Sequence, residues 1–551
     1  MAVLRNGGRP PWVVIVEQQL FFFIPSSEPH HSCSKLGSTD ELFKEMAGRQ
    51  IGYKCRIAGV VLLLLASIAA LVAVAVIQDT WRSKEYSLEY GIVIDSGSSR
   101  STVYLYEWPG EKQNETGVVT EIKNCRVAGD GISEMKVDPE KDAASWKAFQ
   151  VCMDGIINAI PAEKQNATPL YLGATAGMRL LHEQDEKRSN DVMASLREYL
   201  SSLPVDFKSA SIISGQEEGL YGWVTVNYLM GNLIEKNMWN TYIRPDGERT
   251  VGSMDLGGAS TQIAFAITDN LTGPDYMPIK LYGYPYNVYT HSFLCYGNNE
   301  AEKRILDKVV QESSNPDYII NPCFPEGYNT TIKASTIYDT ECTKKPKGYN
   351  PDQEFFMVGV ADSDRCLSMV KSIFDFETCS SSQCSFNGVE QPPVTGDFMA
   401  YAGFFFTARA LLKNGTKDSD DFSSDFDKFN ASVRQFCNSH WKVLKEEKTW
   451  ISDRFLKRYC YSGHYMFSLL ADGYKFDKDT FKNINFAKQV KSTSIGWSLG
   501  FMLSMSNMIP SEAKEVLPMT NPVFAGLIFL FSALTVVTVV IVFIFLIRSC
   551  F

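Results

Sequence analysis

Two stretches of this 551-residue chain repeat one device. In residues 91–108 (GIVIDSGSSRSTVYLYEW) and 251–267 (VGSMDLGGASTQIAFAI), an apolar run ends in aspartate, passes a Gly/Ser turn and enters a second apolar run. Backbone N–H groups in such turns form concave donor nests for anions. Gly97, Gly257 and Gly258 let that backbone approach a ligand closely, and Ser98 adds a hydroxyl donor. The carboxylates of Asp95 and Asp255 suit a divalent cation, held through water because Mg²⁺ dehydrates reluctantly. One Asp-x-Gly is an ordinary hairpin turn; a matched pair facing across a cleft would grip a polyphosphate from two sides.

Two further motifs bear on the same chemistry. Residues 212–219 (IISGQEEG, from Ile212) place Glu217 and Glu218 directly after an apolar run. A carboxylate of ordinary pKa, near 4.3, is ionised at neutral pH and can orient or deprotonate water for phosphoanhydride hydrolysis. The same pair also suits a helix N-terminus, where the dipole favours negative charge. The run Gly173-Ala174-Thr175-Ala176-Gly177-Met178-Arg179 follows the strand-like 169–172, which puts Thr175 at a strand-to-turn junction. It lacks the lysine of a phosphate-binding loop, and GxxxxGK[ST] occurs nowhere in the chain. Arg179 reads as a structural ion-pair residue rather than a phosphate ligand.

These motifs need a scaffold. Alternation across Thr102-Val103-Tyr104-Leu105-Tyr106 is strand-like, and helical patterns run over 144–160 and 185–203. Alternating strands and helices predict an α/β fold, and the repeated hairpin predicts two related lobes. The expected boundaries are 90–213 with 488–508 for the first lobe and 214–487 for the second. The net charge of −10, from 53 Lys plus Arg against 63 Asp plus Glu, argues against a nucleic-acid partner. Hydrophobic content of 45% excludes a wholly disordered chain, and no C-x-x-C or H-x-x-x-H spacing supports a zinc site.

Two uncharged apolar runs, 57–77 and 523–547, exceed the roughly 20 residues that cross a bilayer. Lys54 and Arg56 precede the first and Arg548 follows the second, so the positive-inside bias puts residues 1–56 and 548–551 in the cytosol. Alanines 66, 69, 70 and 73 of the first run would let helices pack closely, which admits a homo-oligomer. Ten of the 13 cysteines lie between the runs, an even number suited to disulfides in an oxidising compartment. All six glycosylation sequons, at Asn114, Asn166, Asn270, Asn329, Asn414 and Asn430, lie there too. Cys33, Cys55 and Cys550 fall on the cytosolic side, where the last two are palmitoylation candidates. Residues 1–45 read as an extension or a mis-assigned start, since Met46 would leave a compact basic tail. Residues 511–519 read as a short polar linker into the second span.

Five blocks, 92–106, 171–181, 212–229, 254–265 and 495–503 (IGWSLGFML), resemble in order and spacing the five signature regions of the ecto-nucleoside triphosphate diphosphohydrolases, or ecto-apyrases. The resemblance covers 57–547, and DSGSSR, NYLMGN, NEAEK, SIFDF and SLGFML look most like a cell-surface member. It implies the actin/Hsp70/sugar-kinase fold, with two RNase H-like lobes around a nucleotide cleft. It further implies Glu217 as general base, Ser260 and Gln262 positioning the water, and Asp95 and Asp255 holding Mg²⁺ or Ca²⁺ through waters. Ser98, Thr175 and the turns Gly97-Ser98-Ser99 and Gly257-Gly258-Ala259 would contact phosphates. Phe406, in GFFFTA, would stack on the base, and Trp497 would pack rather than touch substrate. The implied disulfides are 125–152, 295–342, 323–366, 379–384 and 437–460. Two departures stand out: Ser96 where the family usually has Ala, and Asn298 after Cys295-Tyr296-Gly297, where a basic residue is common.

The expected activity is removal of terminal phosphates from extracellular ATP, ADP, UTP and UDP, at the plasma membrane. An ATP-gated channel shares the two spans, cytosolic ends and cysteine-rich ectodomain, but not the paired hairpins. A nucleotide-binding ectodomain without activity is the other alternative. A kinase on the same fold is disfavoured by the scarcity of phosphoacceptors outside cells.

Overall fold

The computed structural model describes residues 39–82, 87–136, 143–238, 241–245, 249–268, 271–315, 318–379, 383–412, 425–511 and 519–550. Sequons Asn270 and Asn414, Cys33, most of the linker over 511–519 and nearly all of the N-terminal extension lie outside them. The chain divides into two units: a pair of long helices from its two ends, and a globular unit, whose elements are numbered here in chain order.

The first sheet runs β3-β2-β1-β4-β5, from β1 (Leu88–Ser96), β2 (Ser101–Pro109), β3 (Thr120–Arg126), β4 (Pro169–Ala174) and β5 (Asp206–Ile212). β1 to β3 are antiparallel, whereas β4 and β5 continue parallel to β1. The central strand β1 is buried on both faces, as its unbroken apolar run requires. Ile92 and Ile94 pack under helices α1 (Ala143–Ile157), α2 (Ala176–Gln184) and α3 (Glu186–Ser201), through Trp146, Phe149, Met178, Val192 and Leu196. The helix expected from residue 185 begins one residue later, because Asp185 is its N-cap and accepts from Arg188 N at 2.9 Å. The one expected to reach residue 160 stops at Ile157, ahead of Pro161.

The second sheet repeats the plan. Its order is β8-β9-β7-β6-β13-β14, from β6 (Gly252–Leu256), β7 (Ser260–Ile267), β8 (Tyr276–Leu281), β9 (Tyr284–Leu294), β13 (Phe398–Ala402) and β14 (Ile484–Phe486). Again the strands from the hairpin outward, β6, β7, β9 and β8, are antiparallel, and β13 and β14 extend β6 in parallel. Its outer core includes Ile305 and Val309 of α5 (Asn298–Glu312), Phe404 and Ala408 of α6 (Gly403–Leu412) and Tyr465 of α7 (Tyr459–Ser468). A satellite sheet β10-β12-β11, from β10 (Ile319–Asn321), β11 (Asn329–Lys333) and β12 (Glu354–Gly359), joins that core through Ile319, Phe355 and Met357.

Between the two sheets lie α4 (Gly215–Met230) and α8 (Trp497–Ser506). A third core joins Val93 and Tyr106 of the first sheet to Trp223 and Val224 of α4, Trp497 and Met502 of α8, and Ala264 and Val288 of the second sheet. The globular unit is therefore two RNase H-like lobes of the actin/Hsp70/sugar-kinase type, with α4 and α8 as the shared middle layer. Gly500 lets these helices meet, since a methyl there would collide with Tyr221 O.

Five disulfides close the globular unit: Cys125–Cys152, Cys295–Cys342, Cys323–Cys366, Cys379–Cys384 and Cys437–Cys460. Asn114, Asn166 and Asn329 are exposed, and Asn430 is partly so. The long helices, Thr39–Arg82 and Asn521–Cys550, contain apolar stretches of 25 and 28 residues, long enough to cross a bilayer. They pack side by side, with Ser67 Oγ 3.0 Å from Thr535 Oγ1 and Gln78 Nε2 donating to Met519 O. Such polar contacts are typical glue between helices in lipid. Cys55 is an exposed free thiol on the first.

Candidate active site

Both hairpins end at the same level of their sheets. Asp95 pairs with Thr102 across the first hairpin and with Gly173 of β4; Asp255 pairs with Gln262 and with Tyr401 of β13. Each turn is closed by one bond, Gly97 N to Arg100 O at 2.9 Å and Gly257 N to Ser260 O at 3.0 Å. The turns meet. A methyl on Gly258 would sit 2.6 Å from Ser98 Oγ, so any larger residue there would turn the Ser98 hydroxyl aside. Each turn is braced from behind: the first by Gly177 of α2, where a methyl would lie 2.6 Å from Ser98 Cα, the second by the start of α5. There Asn298 N and Asn299 N donate to Gly257 O and Gly258 O at 2.8 and 2.9 Å. With those carbonyls turned to α5, the N–H groups of Gly258 and Ala259 find no protein acceptor among the described residues, nor do those of Ser98 and Ser99.

The acidic floor is electrostatically loaded. Burial pushes Asp255 up to about 8, and the negative charges of Glu218 and Asp95 add to it. Burial likewise pushes Asp95 up to about 6, against a hydrogen bond from Trp497 Nε1 to its Oδ1 at 2.9 Å. Asp255 Oδ1 is buried with no protein partner. Crowded carboxylates with an unused buried oxygen fit a divalent cation, which would satisfy that oxygen and relieve the repulsion. Cys437, Cys460 and His464 also cluster at metal-like spacing, but the two cysteines are joined to each other and offer no thiolate.

Helix α4 begins with a capping box. Ser214 Oγ accepts from Glu217 N at 3.1 Å, while Glu217 Oε2 accepts from Ser214 N and Oγ at 2.8 and 2.9 Å. The dipole-favoured position and the acidic pair after a strand are thus one feature. Glu218 points elsewhere: its Oε2 accepts from Arg179 at 2.8 Å and from Gln262 Nε2 at 3.1 Å. Gln262 Nε2 also lies 2.7 Å from Ser260 Oγ and 2.9 Å from Ser292 Oγ. Its Oε1 is buried and unpartnered. Ser260 Oγ accepts from both Gln262 and Arg179, so its own proton is left to donate. Strand β9 clamps the start of α4: Thr290 Oγ1 donates to Gln216 O at 3.0 Å, and Gly215 lies against Ser292. Gln216 Nε2 donates at 3.1 Å to Asp275, which pairs with His291 Nδ1 at 2.9 Å.

The sequence model of the GDA1/CD39 (nucleoside phosphatase) family matches residues 82–519. The chain belongs to that family. Ectonucleoside triphosphate diphosphohydrolase 3 of Homo sapiens is 43% identical over 496 residues, covering 89% of this chain and 92% of its own. Ectonucleoside triphosphate diphosphohydrolase 1 of Rattus norvegicus is 38% identical over 457 residues, covering 82% and 88%. A crystal structure of nucleoside triphosphate hydrolases from Neospora caninum superposes with a TM-score of 0.55 at 17% identity, over 79% of this chain and 95% of that one. At that identity the likeness establishes the fold alone.

Within this family member, the structure brings together Asp95, Gly97, Ser98, Gly257, Gly258, Ser260, Gln262 and the start of α4. Thr175 lies at the edge: its N donates to Ser96 O at 3.0 Å, and its hydroxyl turns toward the same carbonyl. Phe404 and Phe405 are buried, whereas Phe406, whose ring lies edge-on 5.4 Å from that of Phe405, is 44% exposed on α6. Trp497 is buried and packs over Gly173, and it also donates to Asp95, a contact that the sequence reading did not include. Arg179 forms the ion pair expected of it. The Asp275–His291 pair and Ser292 went unnoticed in sequence, because cross-strand and helix-to-sheet partners carry no local spacing signal. Asn298 braces the second turn and accepts from Ser462 Oγ at 3.2 Å.

Proposed function

We propose that the chain hydrolyses the terminal phosphoanhydride of nucleoside tri- and diphosphates, including ATP, ADP, UTP and UDP, down to the monophosphate. The observation that carries this reading is the contact of the two turns, Ser98 against Gly258, above Asp95 and Asp255. Unused N–H groups on both turns offer donors to one phosphate chain from two sides. Asp95 and Asp255 would hold Mg²⁺ or Ca²⁺ through water, and that cation would supply charge neutralisation at the phosphate oxygens. Phe406, with its exposed ring, offers a stacking face for the base.

The attacking water has three partners with complementary chemistry. Ser260 donates a hydrogen bond to it, and Gln262 Oε1 accepts a hydrogen bond from it. Glu217 takes its other proton through Oε1, the oxygen that its capping box does not use. The remaining lone pair then faces the terminal phosphorus. The water's O–P bond forms as the bridging P–O bond breaks in line, and the released products are orthophosphate and the shortened nucleotide, with no covalent intermediate. Glu218 is less suited as base, because Arg179 and Gln262 already engage it.

We place the globular unit outside the cell, with both termini cytosolic. The flanking lysine and arginines, the ten cysteines and the six sequons support this orientation. The purified full-length protein in detergent should release phosphate from ATP and then ADP, stop at AMP, and lose all turnover in a chelator. Nucleotide binding without phosphate release would overturn the assignment.

A further inference from the structure

We propose that Asn329 carries an N-linked oligosaccharide whose first sugars cover an apolar face of the satellite sheet. The sheet β10-β12-β11 buries Ile319, Phe355 and Met357 in the second lobe and leaves its other face open. Register fixes what stands there. Asn329 pairs with Val358, which pairs in turn with Ile320. Thr331 pairs with Phe356, whose ring lies 6.1 Å from that of Tyr318. Phe356, Ile320 and Tyr318 are 39%, 44% and 50% exposed. Alternate strand residues share a face, so the asparagine and the hydroxyl of one Asn-Thr-Thr sequon occupy the same two rows as these apolar side chains.

Directly opposed side chains in an antiparallel pair start about 5 Å apart. A sugar on Asn329 Nδ2 therefore begins beside Val358 and, in one sugar's length, reaches the Phe356 ring. Pyranose C–H groups carry the partial positive charge that the face of an aromatic ring attracts. The cover has a second consequence. β11 is an edge strand, and an exposed edge strand is a template for pairing with another chain. A bulky polar substituent there blocks that pairing.

The inference rests on the outside orientation proposed above, and the test separates the two. Full-length protein from a glycosylating host is digested and its sequons mapped by enzymatic deglycosylation in heavy-oxygen water. Hydroxyl-radical labelling then compares wild type with Asn329→Gln. Expected are occupancy of Asn329, and several-fold stronger labelling of Phe356 and Tyr318 in the variant, with Phe455, exposed elsewhere, unchanged. Thr331→Ala should act like Asn329→Gln, while Thr331→Ser, which keeps the sequon, should label as wild type; the pair also serves if Asn329→Gln fails to fold. Glycans at Asn114 or Asn166 with none at Asn329, or equal labelling with and without the sugar, would overturn this inference alone. No glycan at any sequon would overturn the orientation as well.

Discussion

Replacing Trp497 with phenylalanine isolates one hydrogen bond at the acidic floor. Trp497 Nε1 donates to Asp95 Oδ1 at 2.9 Å, and phenylalanine keeps an aromatic ring in the core but has no donor and lacks the outer indole atoms that lie over Gly173. A hydrogen bond to a charged group is worth about 1.5–3 kcal/mol. Losing it from an ionised carboxylate proposed to hold a cation should weaken cation affinity about 10- to 100-fold, the range seen when outer partners of metal ligands are removed. Asp95 already sits high, at about 6, through burial, and removing the donor pushes it higher, so the acid limb of activity should move to higher pH. The assay is phosphate release against Mg²⁺ concentration at neutral pH, with melting temperature followed along the same titration. Half-saturation should shift by at least tenfold, while kcat at saturating cation returns to within a few-fold of wild type. Unchanged half-saturation would refute the argument, as would a loss of kcat that saturating cation does not restore, which would mean damaged packing.

Glu217→Gln should lower kcat by at least about a hundredfold with melting temperature nearly unchanged. Glutamine at the third helical position still completes a capping box, and a variant that keeps turnover would remove Glu217 as base. Gly258→Ala should lower kcat by about a hundredfold, the scale of a displacement near 1 Å, because its methyl would lie 2.6 Å from Ser98 Oγ. Stability should hold, since the Ser98 side chain can rotate away; steady-state kinetics with a melting curve distinguishes the two effects. In chelator, melting temperature should fall as pH rises from about 4 to about 8. Asp95 and Asp255 are raised in the folded state to about 6 and about 8, so the unfolded chain releases their protons first and folding loses stability across that window. Added Mg²⁺ should therefore raise the melting temperature more at pH 8 than at pH 5, and an equal gain at both would contradict the crowded-carboxylate reading.

The devices that sequence exposes here are local ones. The paired hairpins, the strand before Gln216-Glu217-Glu218 and the apolar end segments all carry short-range patterns of alternation, turn residues or length. Asp95 and Asp255 were legible for that reason. What stayed hidden is what tertiary packing decides. Trp497 is 402 residues from Asp95, and nothing in IGWSLGFML distinguishes an indole that packs from one that donates. Glu217 and Glu218 are adjacent, yet one caps its own helix and the other pairs with Arg179 of another helix; helix geometry separates them, not composition. The middle layer was likewise illegible, because α4, with buried residues on nearly every face, lacks the one-sided periodicity that would have shown its two sheets.

The central claim is that both turns close on one phosphate chain while Glu217 faces its end. A structure of the full-length protein with Ca²⁺ and a non-hydrolysable ATP analogue tests it most directly. The account predicts the β- and γ-phosphates between the N–H groups of residues 98–99 and 258–259, with an ordered water linking Glu217, Ser260 and Gln262. Phosphates bound to one turn only, or a terminal phosphate out of reach of Glu217, would contradict it.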